Sequence, residues 1–200
     1  MANGYANPRD PSMGEAGCPL RGGGAGKGAP MILLGLGANL PSDIYGPPRS
    51  TLQAALALLP EHGVTVLACS SWYESPAVPP SEQPRFVNAV ASLATDLAPE
   101  VLLARLHALE ARLGRRRRRR WEARVIDLDL LAYDDIVRTP GPDSPLELPH
   151  PRMTERAFVL LPLTELAPDW RHPASGLSAA ELLAALPAAD RAQVTRLRGG

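Results

Sequence analysis

Apolar and polar residues alternate most regularly in residues 125–133, which read VIDLDLLAY. A period of two is typical of a β-strand that buries one face. Asp127 and Asp129 are therefore predicted to lie side by side on the opposite face of this strand. The residues predicted to point into a core are Ile126, Leu128, Leu130 and Ala132.

The pattern of apolar positions predicts five further elements before this strand. The predicted helices are 49–59 and 99–113, and the predicted strands are 31–37, 64–75, 86–97 and 125–133. The order β-α-β-β-α-β indicates an α+β protein with the ferredoxin-like architecture, an antiparallel sheet that carries both helices on one face. On this architecture Asp127 and Asp129 lie on the open face of the sheet.

The segments on either side of this core give the predicted domain boundaries. Residues 1–30 are rich in Gly, Pro, Asn and Ala and are predicted to be a disordered tail, which leaves both Met1 and Met31 open as the translation start. The domain is expected to span 31–187, and 188–200 to be a loose C-terminal tail. Ser178 is a plausible helix N-cap. The C-terminal additions are predicted as a short strand at 136–137, a loop at 140–149, mixed helix and coil at 154–166 and a helix at 177–186.

Composition narrows the class of protein. The chain has 200 residues, which suits one domain, and its 21 Lys and Arg residues balance 21 Asp and Glu residues. This neutrality argues against a protein whose whole surface binds nucleic acid. No apolar run approaches the ~18 residues that span a bilayer, and the N-terminus lacks a hydrophobic signal core. We therefore expect a cytoplasmic protein that does not bind membranes.

Charge is concentrated around the aspartate strand. A run of six arginines occupies 115–120, and Arg124 follows it. Two neighbouring carboxylates in a strand repel each other and need a positive partner. Paired Asp oxygens suit Mg²⁺, and two such ions serve phosphoryl chemistry. The alternative is a solvated edge strand whose carboxylates pair with arginines, and the residues alone leave both interpretations open.

Several short fragments occur along residues 31–170 in a characteristic order and spacing. They are LGANL at 36–40, SSWYESP at 70–76, QPRFVNA at 83–89, Glu110 with Gly-Arg at 114–115, RVIDLDL at 124–130, PHPRM at 149–153 and RAF at 156–158. Each fragment alone is a weak signal, but their joint order is highly specific. In these fragments the chain resembles the 6-hydroxymethyl-7,8-dihydropterin pyrophosphokinase family of folate biosynthesis.

The resemblance implies transfer of the β,γ-pyrophosphoryl group of ATP to the hydroxymethyl oxygen of the pterin, which releases AMP. It implies a ferredoxin-like fold, ATP as co-substrate and two Mg²⁺ ions held by Asp127 and Asp129. Neighbouring enzymes of the folate pathway are its candidate partners. The catalytic residues it implies are Arg115, Arg117, Arg124, Asp127 and Asp129.

The resemblance also implies two substrate sites. The pterin-binding positions are Ser75, Pro76, Ala77, Val78, Phe86, Asn88, Trp121 and Phe158. The ATP-binding positions are Leu103, His107, Glu110, Arg117, Arg124, Leu130, His150 and Arg156. Without the family, Phe158 also suits a core position and His150 a surface loop. The loop at 115–124 has one residue fewer than a well-known form of the family, so the arginine that contacts phosphate stays open among 115–120.

The alternative function is a nucleic-acid-binding ferredoxin-like module that uses the arginine run on phosphates. The aromatic strand motif of RNA-recognition modules is missing from the sequence, and two carboxylates on the sheet would repel RNA. We therefore expect no specific nucleic-acid partner.

Overall fold

An antiparallel sheet forms the middle layer of the protein. The computed structural model describes residues 31–115, 123–142 and 144–198. The predicted tail at 1–30 lies outside the described residues, as do the arginines at 116–120 and Trp121. The strands are β1 (Ile32–Ala38), β2 (Thr65–Cys69), β3 (Tyr73–Ser75), β4 (Phe86–Ala94), β5 (Asp127–Ala132) and β6 (Thr195–Arg196). Their order in the sheet is β5-β1-β4-β3-β6, and β2 also pairs with β4.

Helices pack on both faces of this sheet. The predicted pair, α1 (Pro48–Leu58) and α2 (Pro99–Arg112), covers one face. Both begin with proline, which fits the first turn because the amide there has no intrahelical partner. The opposite face is partly covered by α3 (Ala157–Leu166) and α4 (Ala179–Ala185), so it is less open than predicted. None of the described helices has the length and apolar character needed to cross a membrane.

Two hydrophobic clusters follow from this layering. Leu34 of β1 packs with Leu52 of α1 and Leu106 of α2 on the first face. Its neighbour Leu33 packs with Leu160 of α3 on the second face. Because successive side chains of a strand point to opposite faces, β1 contributes to both clusters. The α+β ferredoxin-like core is confirmed, and the C-terminal additions supply the second cluster.

A bulge in β5 changes one core prediction. Leu33 pairs with Ala132 whereas Leu34 pairs with Leu130, so Leu131 is an extra residue on the β5 side. A bulge of this kind reverses the alternation beyond it. Ala132 therefore lies in the second cluster, and the prediction that it shares a face with Leu128 was wrong.

Two predicted strands also differ from the structure. The strand expected at 64–75 is interrupted between β2 and β3, where the Ser70 hydroxyl accepts a hydrogen bond from the Val90 amide at 3.1 Å. The short strand expected at 136–137 is absent from this described segment, and Val137 is exposed. The nearest pairing is an isolated bridge between Arg138 and Leu148.

The C-terminal segment is more ordered than the sequence predicts. Ser178 caps α4 as expected, because its hydroxyl accepts from the Glu181 amide and the Glu181 carboxylate accepts from the Ser178 amide. Residues after 187 were expected to be loosely held, but they form α5 (Ala188–Ala192) and β6. β6 pairs with β3, and the Leu197 amide donates to the Trp72 carbonyl at 2.8 Å.

Candidate active site

A pocket opens on the second face of the sheet, beside the start of α3. Seven of the eight predicted pterin-binding residues line it, and the eighth, Trp121, lies outside the described residues. The lining also includes Gly35, Gly37, Gln83, Arg124, Asp127, Asp129, Leu131 and Arg156. The predicted pterin residues in the lining are Ser75, Pro76, Ala77, Val78, Phe86, Asn88 and Phe158.

The pocket floor is set by the register of three adjacent strands. Gly37 of β1 stands opposite Asn88 of β4 on one side and Asp127 of β5 on the other. Cross-strand partners point to the same face of a sheet. The amide and the carboxylate therefore flank a strand position that has no side chain, and Asp129 lines the same pocket.

Asp127 is the most enclosed carboxylate of the pocket. Its Oδ1 atom lies 2.7 Å from Arg115 Nη1, and its Oδ2 atom pairs with Arg124. The Arg115 contact lacks hydrogen-bond alignment, so Oδ1 accepts no hydrogen bond from the described residues. Burial raises the pKa of Asp127, the charge of Asp129 raises it further, and the two arginines oppose this rise.

Glu110 is an ion-pair partner that fixes the position of Arg115. The Glu110 side chain is 1% exposed, accepts a hydrogen bond from the Leu128 amide at 2.7 Å and pairs with Arg115. Burial raises the pKa of Glu110, while the Leu128 amide and Arg115 lower it. The carboxylate thus joins α2 to the edge of β5, and it acts on the pocket through Arg115.

The second aspartate faces a different arginine. Asp129 Oδ2 lies 3.8 Å from Arg156 Nη1, and the Arg156 guanidinium carbon lies 5.5 Å from the centre of the Phe158 ring. Stacking of this kind fixes a guanidinium without using all its donors. Arg156 Nε is buried and has no hydrogen-bond partner among the described residues.

The pocket also carries a fixed amide. Asn88 is 4% exposed, and its Nδ2 atom donates to Ser75 Oγ at 3.0 Å and to the Phe86 carbonyl at 3.4 Å. The Asn88 amide is therefore oriented by β3 and by its own strand. An oriented amide and an aromatic ring in one pocket suit a flat molecule with a polar edge.

Asn39 is a structural residue of the site to which sequence reasoning assigned no role. It is 2% exposed; its Nδ2 donates to the Pro84 carbonyl at 3.0 Å, and its Oδ1 accepts from the Arg124 amide at 2.7 Å. Asn39 thereby connects the segment at 83–84 to the segment at Arg124, and both segments contribute residues to the pocket lining. An asparagine directly after a strand with two glycines was the available signal.

His150 is attached to β5 through the backbone of Leu131. Its backbone amide donates to the Leu131 carbonyl at 2.8 Å, and its Nδ1 atom accepts from the Arg152 amide at 3.1 Å. A neutral ring that accepts at Nδ1 carries its proton on Nε2. Burial, and then the charge of Arg156, lower the pKa of His150 to about 4.

Among the described residues, the predicted ATP-binding positions Leu103, His107 and Leu130 do not line the pocket. Leu130 is buried in the first cluster, and Leu103 of α2 packs against the same cluster. Both side chains therefore lie on the first face of the sheet, away from the pocket. His107 is exposed on α2. Arg117 lies outside the described residues.

The oxygen ligands that the pocket offers can be compared with those that the expected Mg²⁺ ions require. Among the described residues, no three His, Cys, Asp or Glu side chains come together as a metal site. Mg²⁺ that binds nucleotide phosphates commonly takes only one or two carboxylates from the protein. Asp127 and Asp129 fit this requirement, because they line one pocket and Asp127 Oδ1 accepts no hydrogen bond.

The fold and the pocket together define a ferredoxin-like α+β protein whose sheet carries a pocket lined by two aspartates, two arginines and a fixed amide. A family model described as 7,8-dihydro-6-hydroxymethylpterin-pyrophosphokinase (HPPK) matches residues 33–168. The chain belongs to this family.

Individual relatives agree with the family match. A 2-amino-4-hydroxy-6-hydroxymethyldihydropteridine pyrophosphokinase from Pseudomonas aeruginosa is 45% identical over 160 residues, 78% of this chain and 91% of that protein. The protein of that name from Synechocystis is 41% identical over 152 residues, 76% of this chain and 73% of that protein. The structure of wild-type Plasmodium falciparum HPPK-DHPS with SDX-DHP has a TM-score of 0.58 at 14% identity, which is a likeness of fold. The match covers 78% of this chain but 43% of that one.

Proposed function

We propose that this chain transfers the outer two phosphates of ATP to the hydroxymethyl oxygen of 6-hydroxymethyl-7,8-dihydropterin, releases AMP and uses two Mg²⁺ ions. Membership of the HPPK family supports the pyrophosphoryl transfer and its pterin acceptor. The observation that carries the rest is the position of Asp127 and Asp129 in the pocket that also holds Asn88. ATP and Mg²⁺ are the donor and the cation that suit this arrangement.

The acceptor binds between Phe158 and the wall formed by Asn88 and Ser75. The ring of Phe158 offers a face for the flat pterin, and the Asn88 amide reads its polar edge. Arg156 holds the Phe158 ring from one side. These contacts fix the plane of the acceptor, so its hydroxymethyl group points along the floor toward Asp127.

The donor binds on the arginine side of the pocket. Arg115, Arg124 and Arg156 present permanent charge and planar forks that match phosphate oxygens. His150 adds a neutral Nε2–H donor at physiological pH, because its pKa is lowered to about 4. The arginines that now pair with Asp127 and Asp129 can turn to the triphosphate when the carboxylates hold cations.

The cation site is formed by Asp127 and Asp129. Bound Mg²⁺ supplies charge neutralisation and alignment of the triphosphate. The protein's own part is positioning: Glu110 holds Arg115, and the sheet keeps the acceptor and the two carboxylates on one floor. No covalent link between the protein and a phosphate is needed.

A folate-pathway enzyme is the partner that the relatives suggest. A folic acid synthesis protein from Pneumocystis carinii is 37% identical over 150 residues, which are 19% of its length. The matched region is thus part of a larger folate-synthesis protein in that organism. The nucleic-acid alternative is not favoured, since the described sheet face carries two carboxylates and the family is a pyrophosphokinase.

The proposal predicts the effect of Asp127→Asn. The variant keeps the size of the side chain but removes the charge that holds Mg²⁺, so AMP formation from ATP and the hydroxymethyl dihydropterin should fall at least about a hundredfold. Chromatography of AMP and ADP measures the product. Asp135→Asn, at an exposed site just after β5, is the matched control and should remain active.

Two outcomes would contradict the proposal. Full activity of Asp127→Asn would remove the metal assignment. ADP instead of AMP from the unaltered chain would show that a single phosphate is transferred.

A further inference from the structure

Gly37 lies on the pocket floor between Asn88 and Asp127. We infer that the missing side chain of Gly37 leaves the gap through which the hydroxymethyl group of the acceptor reaches the phosphate donor, so that Gly37 determines which acceptors are used. This inference rests on the proposed function and assigns one of its specificity determinants.

The strand register places this gap between the two substrates. Asn88 and Asp127 are the direct partners of Gly37 on its two neighbouring strands. Neighbouring strands lie about 4.8 Å apart, so the backbones at Asn88 and Asp127 are about 10 Å apart. An acceptor whose ring is read by Asn88 and whose oxygen meets a phosphate held near Asp127 must cross this interval. Its hydroxymethyl group then lies over Gly37.

A methyl group at this position would occupy the gap without disturbing the fold. A Cβ atom on Gly37 would lie 3.5 Å from Asn88 Oδ1 and 3.9 Å from the Asp127 Cβ atom, which are ordinary contact distances. The backbone angle φ of Gly37 is not in the left-handed region. Neither the backbone nor a steric conflict therefore requires glycine here, and alanine is generally favoured over glycine inside a strand. The need for glycine must come from the space above it.

Gly35 precedes Gly37 by two residues on the same face of β1 and provides the contrast. A Cβ atom on Gly35 would lie 3.3 Å from both Cδ atoms of Leu131, a buried residue of the second cluster. The space above Gly35 is thus already filled by the protein. Glycine at 35 serves packing, whereas glycine at 37 leaves room for a ligand.

The test compares Gly37→Ala with the unaltered chain by direct binding, without turnover. We expect the dissociation constant of the hydroxymethyl dihydropterin to rise roughly tenfold or more, as one misplaced methyl group can cause. The dissociation constant of a non-hydrolysable ATP analogue with Mg²⁺ should change less than about twofold, because the added methyl adjoins the acceptor path. The melting temperature should be unchanged or higher.

A matched control and a second probe separate blockage from general damage. Gly141→Ala, at an exposed glycine outside the pocket lining whose added Cβ atom would meet nothing within 4 Å, should leave acceptor affinity within about twofold. Gly35→Ala should lower the melting temperature, because the buried Leu131 must move. A pterin with hydrogen in place of the hydroxymethyl group should bind equally well to Gly37→Ala and to the unaltered chain. A loss confined to the 6-substituted acceptor locates the conflict at the substituent.

Each other outcome overturns the inference. Unchanged acceptor affinity in folded Gly37→Ala would show that the gap is not used. An equal loss of nucleotide affinity, or a variant that unfolds, would show a structural role for Gly37. An unaltered chain that binds neither acceptor nor nucleotide would overturn the proposed function as well, whereas AMP formation by the unaltered chain leaves that function standing.

Discussion

At the scale of single residues, burial and charged neighbours set the protonation of the pocket side chains. Asp127 and Glu110 are both pushed toward the neutral acid by burial, and Arg115 opposes this at both. His150 is pushed the same way, toward its neutral form, and an adjacent Arg156 adds to the effect. Burial thus favours the neutral form of all three side chains.

The lowered pKa of His150 predicts a pH-dependent stability. The unfolded chain protonates His150 near pH 6.5, but the folded chain does so only near pH 4. The unfolded state therefore binds more protons in this window, and the free energy of unfolding falls as pH decreases from 6.5 to 4. The contribution is at most about 3 kcal/mol and is fully present above pH 6.5.

Urea unfolding between pH 7 and pH 4 measures this contribution. His150→Gln should flatten the slope and leave a remainder from groups such as His172, whose pKa is also lowered by burial. An identical slope in His150→Gln would show that His150 titrates alike in both states.

At the scale of elements, the apolar side chains along one side of each helix form much of the first hydrophobic cluster. Leu102, Leu106 and Leu109 of α2 are all fully buried, whereas Val101 on the same helix is 44% exposed. The spacing of three and four residues places the leucines on one side of the helix. The same spacing is visible in the sequence, which is why α1 and α2 were predicted within a residue of their ends.

Leu106→Ala should therefore destabilise the protein strongly. Loss of a fully buried leucine costs about 2–5 kcal/mol, since the surrounding core only partly closes the cavity. Val101→Ala is the control on the same helix and should change the free energy of unfolding by less than about 0.5 kcal/mol. Urea denaturation of the two variants checks the prediction, and equal effects would refute the assigned packing face.

At the scale of the whole molecule, Glu165 joins segments that are far apart in sequence. Its carboxylate accepts hydrogen bonds from the Ser71 hydroxyl at 2.8 Å and from the Tyr73 hydroxyl at 2.7 Å, and lies 3.4 Å from Arg196 Nη2. α3, the β2–β3 junction and β6 thus meet at one side chain. Because β3 also carries Ser75, this contact supports the side of the pocket that Ser75 and Asn88 line.

Tyr73→Phe tests this long-range contact. Burial, and then the hydrogen bond to Glu165, raise the pKa of Tyr73 to about 12, so the hydroxyl donates at every ordinary pH. Its removal should cost about 1.5–3 kcal/mol of unfolding free energy, as for a hydrogen bond to a charged group. Arg196→Ala, which removes a more exposed contact, should cost less than about 1 kcal/mol. A larger cost for Arg196→Ala in urea unfolding would reverse this ranking.

The sequence by itself determined the order of the core elements and the faces of the main helices and strands, because periodicities of two and of three to four residues directly encode which side is buried. It also placed Asp127 and Asp129 on one face of one strand. These are local properties, and residues within one element fix them.

Only the tertiary structure decided what stands opposite those aspartates. The pairing of Gly37 with both Asn88 and Asp127, the bulge at Leu131 and the attachment of β6 to β3 all depend on register between distant segments. The alternation within one segment excludes register shifts of one residue, which would turn its apolar side chains to the wrong face. Packing and hydrogen bonds across the whole sheet select among the registers that remain.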